Sequence, residues 1–297
     1  MKKRIFLFVF ALLPLLMFTA CEKETGDTGR LKLYLTDSPI DTDGIEKVYI
    51  TVKEIQYHTN EDGWNTFSEF EEPQKYDLLD LQRGNSELLG SFELASGTYT
   101  QIRFILDAPV MAAGPKANPG CYLEFEDGST QNLFVPSGAQ TGYKAVGSFT
   151  VPANGEVEVT ADFDVRKSVV KAGASGMYLL KPTIRLAVNN QAGQIAGAVT
   201  NIPEDASIII YSYEHGSYDA SEAADPDQDE TRFPNAVSND MVDEEGNYYL
   251  AFLAAGDYDL VVTSVTGDGL YGVLGVIENI TVESNKTSVV DIDIEEL

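Results

Sequence analysis

The sequence predicts an all-β protein of two consecutive β-sandwiches of immunoglobulin-like build, and three observations carry that reading. One short phrase occurs twice, as Leu94-Ala95-Ser96-Gly97-Thr98-Tyr99 and as Leu253-Ala254-Ala255-Gly256-Asp257-Tyr258. Each copy reads as a turn followed by a strand. Glycine tolerates positive φ, so Gly97 and Gly256 suit a tight turn, and the apolar and β-branched residues behind Tyr99 and Tyr258 suit a pleated, half-buried surface. Apolar and polar residues also alternate in short runs. The clearest sets Val157, Val159, Ala161, Phe163 and Val165 against Glu158, Thr160, Asp162, Asp164 and Arg166, which predicts a strand with one wet face. No sustained 3.6-residue periodicity occurs anywhere.

A chain of 297 residues that is 43% hydrophobic fits two domains with packed cores. The formal net charge is −27, and the acid is concentrated late: from Asn190 onward 22 acidic residues face only Arg232 and Lys286. Such a field repels phosphate backbones and anionic lipid, so nucleic acid drops out as a partner class, while cations, basic partners and neutral sugars remain.

Lys2-Lys3-Arg4 and the apolar run 5–17 form a basic and then a short hydrophobic region, too short for an ordinary membrane span, so residues 1–20 are expected to be a signal peptide. Phe18-Thr19-Ala20-Cys21 resembles the bacterial lipobox, although an aliphatic residue is usual where Phe18 stands. The resemblance implies that Cys21 is lipidated and heads a tether over residues 21–29; a plain secretory signal with a chance cysteine is the alternative. Glu22-Lys23-Glu24 is similar to the acidic tract that sends lipoproteins of some Gram-negative lineages to the outer face of the outer membrane. A lipid-anchored, surface-exposed protein is therefore expected. With Cys21 so used, Cys121 has no disulfide partner and reads as a small buried hydrophobe.

Folding is expected to start near Leu31, where Leu31, Leu33 and Leu35 alternate with Lys32 and Tyr34, and residues 36–44 turn the chain. Val48, Ile50 and Val52 share a face with Ile55 and Tyr57 only if Lys53-Glu54 absorbs an extra residue, which predicts a bulge. Residues 122–125 and 131–135 around Asp127-Gly128 predict a hairpin. The polar stretch Asn189-Asn190-Gln191-Ala192-Gly193 separates a first domain, 30–188, from a second, 193–297, with six strand candidates. Within the second, the acid-rich stretch 214–240 is expected to be disordered rather than to bind a ligand.

Leu33-Tyr34-Leu35-Thr36-Asp37-Ser38-Pro39, residues 48–56 and 94–106, and Leu180-Lys181-Pro182 resemble a bacterial domain-of-unknown-function family, number 4382, over about residues 30–188. The resemblance implies an exported lipoprotein and brings no catalytic residues. Residues 193–297 resemble a carboxypeptidase-regulatory-like, transthyretin-related domain through Gly193-Gln194-Ile195-Ala196-Gly197, Asp243-Glu244-Glu245-Gly246-Asn247-Tyr248 and a central hairpin at 253–262. That likeness implies an accessory module.

For chemistry the sequence offers little. His58 and His215 are the only histidines, no Gly-x-Ser-x-Gly elbow occurs, and neither His nor Cys has zinc-ligand spacing, so no catalytic residue is assigned. Asp37, Asp41 and Asp43 form an oxygen-rich loop suited to calcium, and residues 225–230 form a second; neither fits the EF-hand frame, and Asp is equally a turn former. Tyr57, Trp64 and Tyr76, with Phe67, are candidates for a sugar-stacking platform, against the commoner use of strand aromatics in a core. The leading expectation is a non-enzymatic surface protein for binding, adhesion or assembly with envelope partners. Its rival is a glycan-capture lipoprotein or a carboxylate-based glycan-acting enzyme.

Overall fold

The structure is a computed structural model, and it describes residues 27–38, 44–59, 63–107, 120–135, 142–172, 176–226, 230–266 and 271–297. Among these residues the chain is all-β. The first unit contains β1 (Thr28–Ser38), β2 (Ile45–Thr59), β3 (Gly63–Asp77), β4 (Glu87–Ala95), β5 (Gly97–Leu106), β6 (Tyr122–Phe125), β7 (Thr130–Phe134), β8 (Tyr143–Val151), β9 (Glu156–Asp164), β10 (Val169–Ala172), β11 (Met177–Leu180) and β12 (Ile184–Val188). They form one sheet in the order β10-β11-β7-β6-β2-β5-β8-β12-β9-β1-β4, with β3 on the other edge of β2. Leu31, Leu33 and Leu35 of β1 share a core with Val48, Ile50 and Val52 of β2, which lies five positions away in that order. The sheet therefore folds over on itself into a sandwich.

The second unit contains β13 (Ala192–Thr200), β14 (Ala206–Glu214), β15 (Ser238–Met241), β16 (Asn247–Ala254), β17 (Gly256–Thr266), β18 (Tyr271–Val282), β19 (Thr287–Val289) and β20 (Ile292–Asp293). One sheet runs β16-β13-β19 with β20 also on β13, the other β15-β14-β17-β18, and Ile195, Leu250, Ile210 and Val262 pack between them. This is a two-layer sandwich.

The bulge at Lys53-Glu54 is present: the register of β2 shifts between Val52 and Glu54 against both β3 and β5, and Val48, Ile50, Val52 and Ile55 are all buried. The hairpin around Asp127-Gly128 is present as β6 and β7. Cys121 is buried, and burial raises its thiol to about 12, too high for a thiolate nucleophile at neutral pH.

The repeated phrase turns out to be a corner between layers. β16 pairs with β13 while β17 pairs with β14 and β18, so residues 253–262 carry the chain from one sheet to the other instead of forming a hairpin. In both copies the tyrosine hydroxyl donates to the carbonyl four residues back, Tyr99 to Ala95 at 2.8 Å and Tyr258 to Ala254 at 2.9 Å. This is the tyrosine-corner device of sandwich folds. The two glycines differ, however. Gly97 has φ +154° and open space around an added Cβ, whereas Gly256 is not at positive φ. Gly97→Val is expected to cost about 1–3 kcal/mol through backbone strain, and Gly256→Val under about 1 kcal/mol. Urea unfolding of the two variants checks this, and equal costs would contradict it.

Two further expectations are corrected. The polar face of β9 is dry over its second half, because Thr160, Asp162, Asp164 and the following Arg166 are all under 9% exposed, while the Glu158 side chain stays wet at 41%. The described part of 214–240 is folded: Phe233 is fully buried against Tyr211 at 4.3 Å, and Tyr213 donates to Glu222 at 2.8 Å. The outer face of β14 and β17 supplies Ile209, Tyr211 and Val261 as the apolar seat for this segment.

Candidate functional site

Asp37, the first of the three proposed calcium ligands, points inward at the end of β1. Its Oδ1 accepts the Val165 amide at 3.0 Å, and Gln82 approaches Oδ2 at 3.5 Å. Burial, and then the charges of Asp162 and Asp164, raise its carboxyl well above the usual range. Asp41 and Asp43 lie outside the described residues, as does Cys21.

The aromatic trio is divided between two faces. Tyr57 packs against the core, its ring 4.5 Å from Phe67 and 5.5 Å from Tyr99, and Tyr76 lies on the same face opposite Ile50. Trp64 pairs with His58 on the outer face, where the Arg103 guanidinium stacks 4.1 Å from its ring. A shared sugar platform of Tyr57, Trp64 and Tyr76 is thus not assembled. His215 binds Asp259 through Nδ1 at 2.7 Å, and the Gly216 and Asn279 amides hold the same carboxylate. That hydrogen bond, followed by the charge of Asp259, raises the imidazole above its ordinary value.

The chemistry-bearing residues instead converge on a joint between the two units, which alternation alone did not reveal. Arg83 donates to Asp243 at 2.8 Å and to the Asn247 carbonyl at 2.9 Å, and its Nε stands 3.3 Å from Asp240. Arg166 donates to Asn239 at 3.2 Å and to the carbonyls of Arg232 and Phe233 at 2.6 and 3.1 Å. Lys167 donates to the Ala236 carbonyl at 2.6 Å. Arg185 joins Asp162 at 2.5 Å to the Phe252 carbonyl at 2.6 Å. Ser38 completes the row, reaching Asp162 at 3.3 Å and Ser238 across the joint at 3.5 Å.

The local sequence explains how these groups are presented. Asp164 ends β9 and caps the single helical turn Val165–Ser168 by accepting the Lys167 amide, which turns Arg166 and Lys167 outward together. Gly84 has φ +81°, and a Cβ there would meet the Tyr249 ring at 2.6 Å, so glycine lets the Arg83 segment approach the second unit closely. All four cations come from the first unit and all their acceptors across the joint from the acid-rich second. A joint that matches cations to acceptors in this way is specific but adaptable only at high cost, since an unmatched charge would be stranded.

No curated protein matches the chain. Among solved structures, the Bacillus anthracis TIE protein is 10% identical with a TM-score of 0.23, and the match covers 90% of this chain but 34% of that one. GBS52, the minor pilin of Streptococcus agalactiae, is 13% identical over 88% of this chain and 94% of that one, at TM-score 0.22. BcpA, the major pilin subunit of Bacillus cereus, is 9% identical over 90% and 70%, at TM-score 0.22. Likenesses this distant say nothing about what this chain does. Its own sequence is more informative: residues 28–182 match the model of a family described as "Domain of unknown function (DUF4382)", and the chain belongs to that family.

Proposed function

We propose that the protein is a lipid-anchored protein of the outer-membrane surface with a non-enzymatic role in binding, adhesion or assembly. The observation that carries this reading is the joint. Its buried Asp162, Asp164 and Arg166, with the partly exposed Arg185, form a charged row from which Arg166 and Arg185 bond across to the other sandwich, and a two-unit body joined in this way suits presenting loops and edges at a distance from a tether. In the same reading Cys21 carries the lipid, residues 193–297 act as an accessory carboxypeptidase-regulatory-like module, and 30–188 and 193–297 are separate folding units.

Fatty-acid labelling tests the anchor. Label is expected in the intact protein and not in Cys21→Ala, which should move to the soluble fraction; label in the variant overturns the assignment. Protease added to whole cells is expected to remove the protein, and full protection would place it on the periplasmic face instead. Glycan-array binding or turnover at the surface of the isolated protein would favour the glycan-directed alternative.

A further inference from the structure

We propose that the seam between β3 and β4 is a docking site for an extended, basic strand of a partner protein; the inference rests on the binding role above and gives that partner a chemistry. Among the described residues β3 is bonded only to β2 and β4 only to β1, so both are edge strands of the folded-over sheet, as β10 is at its far end. β3 and β4 nevertheless run past each other. Phe67 stacks on Phe92 at 4.9 Å, and Phe70 and Leu89 line one cleft, so the strands approach in antiparallel sense without a backbone ladder between them. Each therefore offers an edge, and an edge strand's outward N–H and C=O groups are a template for an added strand.

The cleft at this seam, about 460 Å3, states what kind of strand fits. Its apolar lining includes Phe70, Tyr76 and Leu89, together with Leu88, which is 49% exposed. Its rim carries Asp77, Asp80 and Glu87. Asp77 is fixed there because Oδ1 accepts the amides of Val48 and Leu79, both at 3.2 Å. Lys75 is the one basic residue among those lining the cleft, and its ammonium is drawn away, 4.4 Å from the Tyr49 ring centre and 3.3 Å from the Tyr122 hydroxyl. The local field is negative: after burial, the charge of Asp80 helps to raise Asp77 and that of Glu87 helps to raise Tyr76. A strand alternating apolar and basic residues would seat the first kind in the cleft and set the second against the rim. An acidic strand is repelled, and so is a second copy of a chain whose net charge is −27.

The test uses the mature protein and two acetylated decapeptides, one alternating lysine with valine and one alternating glutamate with valine. Fluorescence anisotropy is expected to show saturable binding of the lysine peptide only. Hydrogen exchange is expected to slow in residues 63–77 and 87–95. Leu88→Glu is expected to weaken binding about tenfold, and Glu87→Lys, which leaves the cleft's apolar wall in place, about fivefold or more. Val289→Glu, at a 72% exposed position on the second unit, should change nothing. No saturable binding, equal binding of both peptides, or protection elsewhere overturns the seam while leaving the surface-protein reading intact. A failure of Cys21 labelling with peptide binding retained would do the reverse.

Discussion

Arg166→Ala is expected to release residues 214–240 from the first unit and to lower stability by about 3–5 kcal/mol, the range for breaking a buried charge network by removing one member. The Arg166 side chain is 6% exposed and supplies the donors for Asn239 and for two backbone carbonyls, so its loss strands three acceptors in a dry joint. It also lies over the Tyr211 ring, 5.4 Å from its centre, and beside Asp164 at 3.6 Å. Asp164 would keep Lys167 at 3.2 Å, which limits the damage on that side. Arg166→Met separates the causes: it refills much of the volume, so a similar loss would assign the effect to the missing donors. Limited proteolysis reads the release directly, with new cleavage expected in 214–240. Trp64 is the only tryptophan and lies in the first unit, so its fluorescence follows that unit during denaturation while circular dichroism follows both. Unchanged cleavage together with a stability within about 0.5 kcal/mol of the parent would show that Arg166 does not hold the joint.

How much of this was legible in the sequence depended on whether the decisive constraint was local. The bulge at Lys53-Glu54 was legible because two buried runs in one strand are out of phase, and only an extra residue restores the face. The tyrosine corner was half legible: the repeated phrase marked the turn, but whether the next strand pairs with the last or crosses to another layer is decided by distant partners. The aromatic trio failed for a parity reason. Tyr57 is opposite Asn65, so Trp64 one step away falls on the other face, and strand period alone sends the two rings apart.

The joint was not legible in the sequence. Alternation shows that Asp162, Asp164 and Arg166 share the face away from the core of the first unit, and it cannot tell whether that face meets water or a second domain. The available hint was compositional. The segment Asp162-Phe163-Asp164-Val165-Arg166-Lys167 crowds two acids and two bases at a strand end, ahead of a second half with almost no bases of its own. For 214–240 the hint was Tyr218 and Phe233 amid acid, and the missing half was the outer apolar face of β14, visible only once Ile209 and Tyr211 are seen to point away from the main core.

Asp240→Asn is expected to flatten the pH dependence of stability between about pH 5 and about pH 7.5, because this carboxyl is held protonated into the neutral range by the fold. Burial is the leading cause of its rise from 3.8 to about 7, and the charge of Asp243 adds to it; the Tyr249 amide at 2.7 Å, the Arg83 charge and the Met241 amide oppose it. The folded state therefore keeps a proton that the unfolded chain releases near its ordinary value. Stability contributed by this group is full below about pH 4, falls as pH rises toward about 7, and is level above that, with a total change on the order of 4 kcal/mol. Asparagine keeps an acceptor for the Tyr249 amide and has nothing to ionise, so it should be close to neutral in acid and stabilising above about pH 7. Arg83 retains Asp243 in the variant. His215 runs in the same direction, since an imidazole raised by Asp259 also gives up stability as pH rises through its folded value, so the comparison is made in a His215→Gln background. Denaturant unfolding at four or five pH values gives the slopes. Parallel curves for the parent and Asp240→Asn would show that Asp240 is ionised throughout and that the ion pair with Arg83 outweighs its burial.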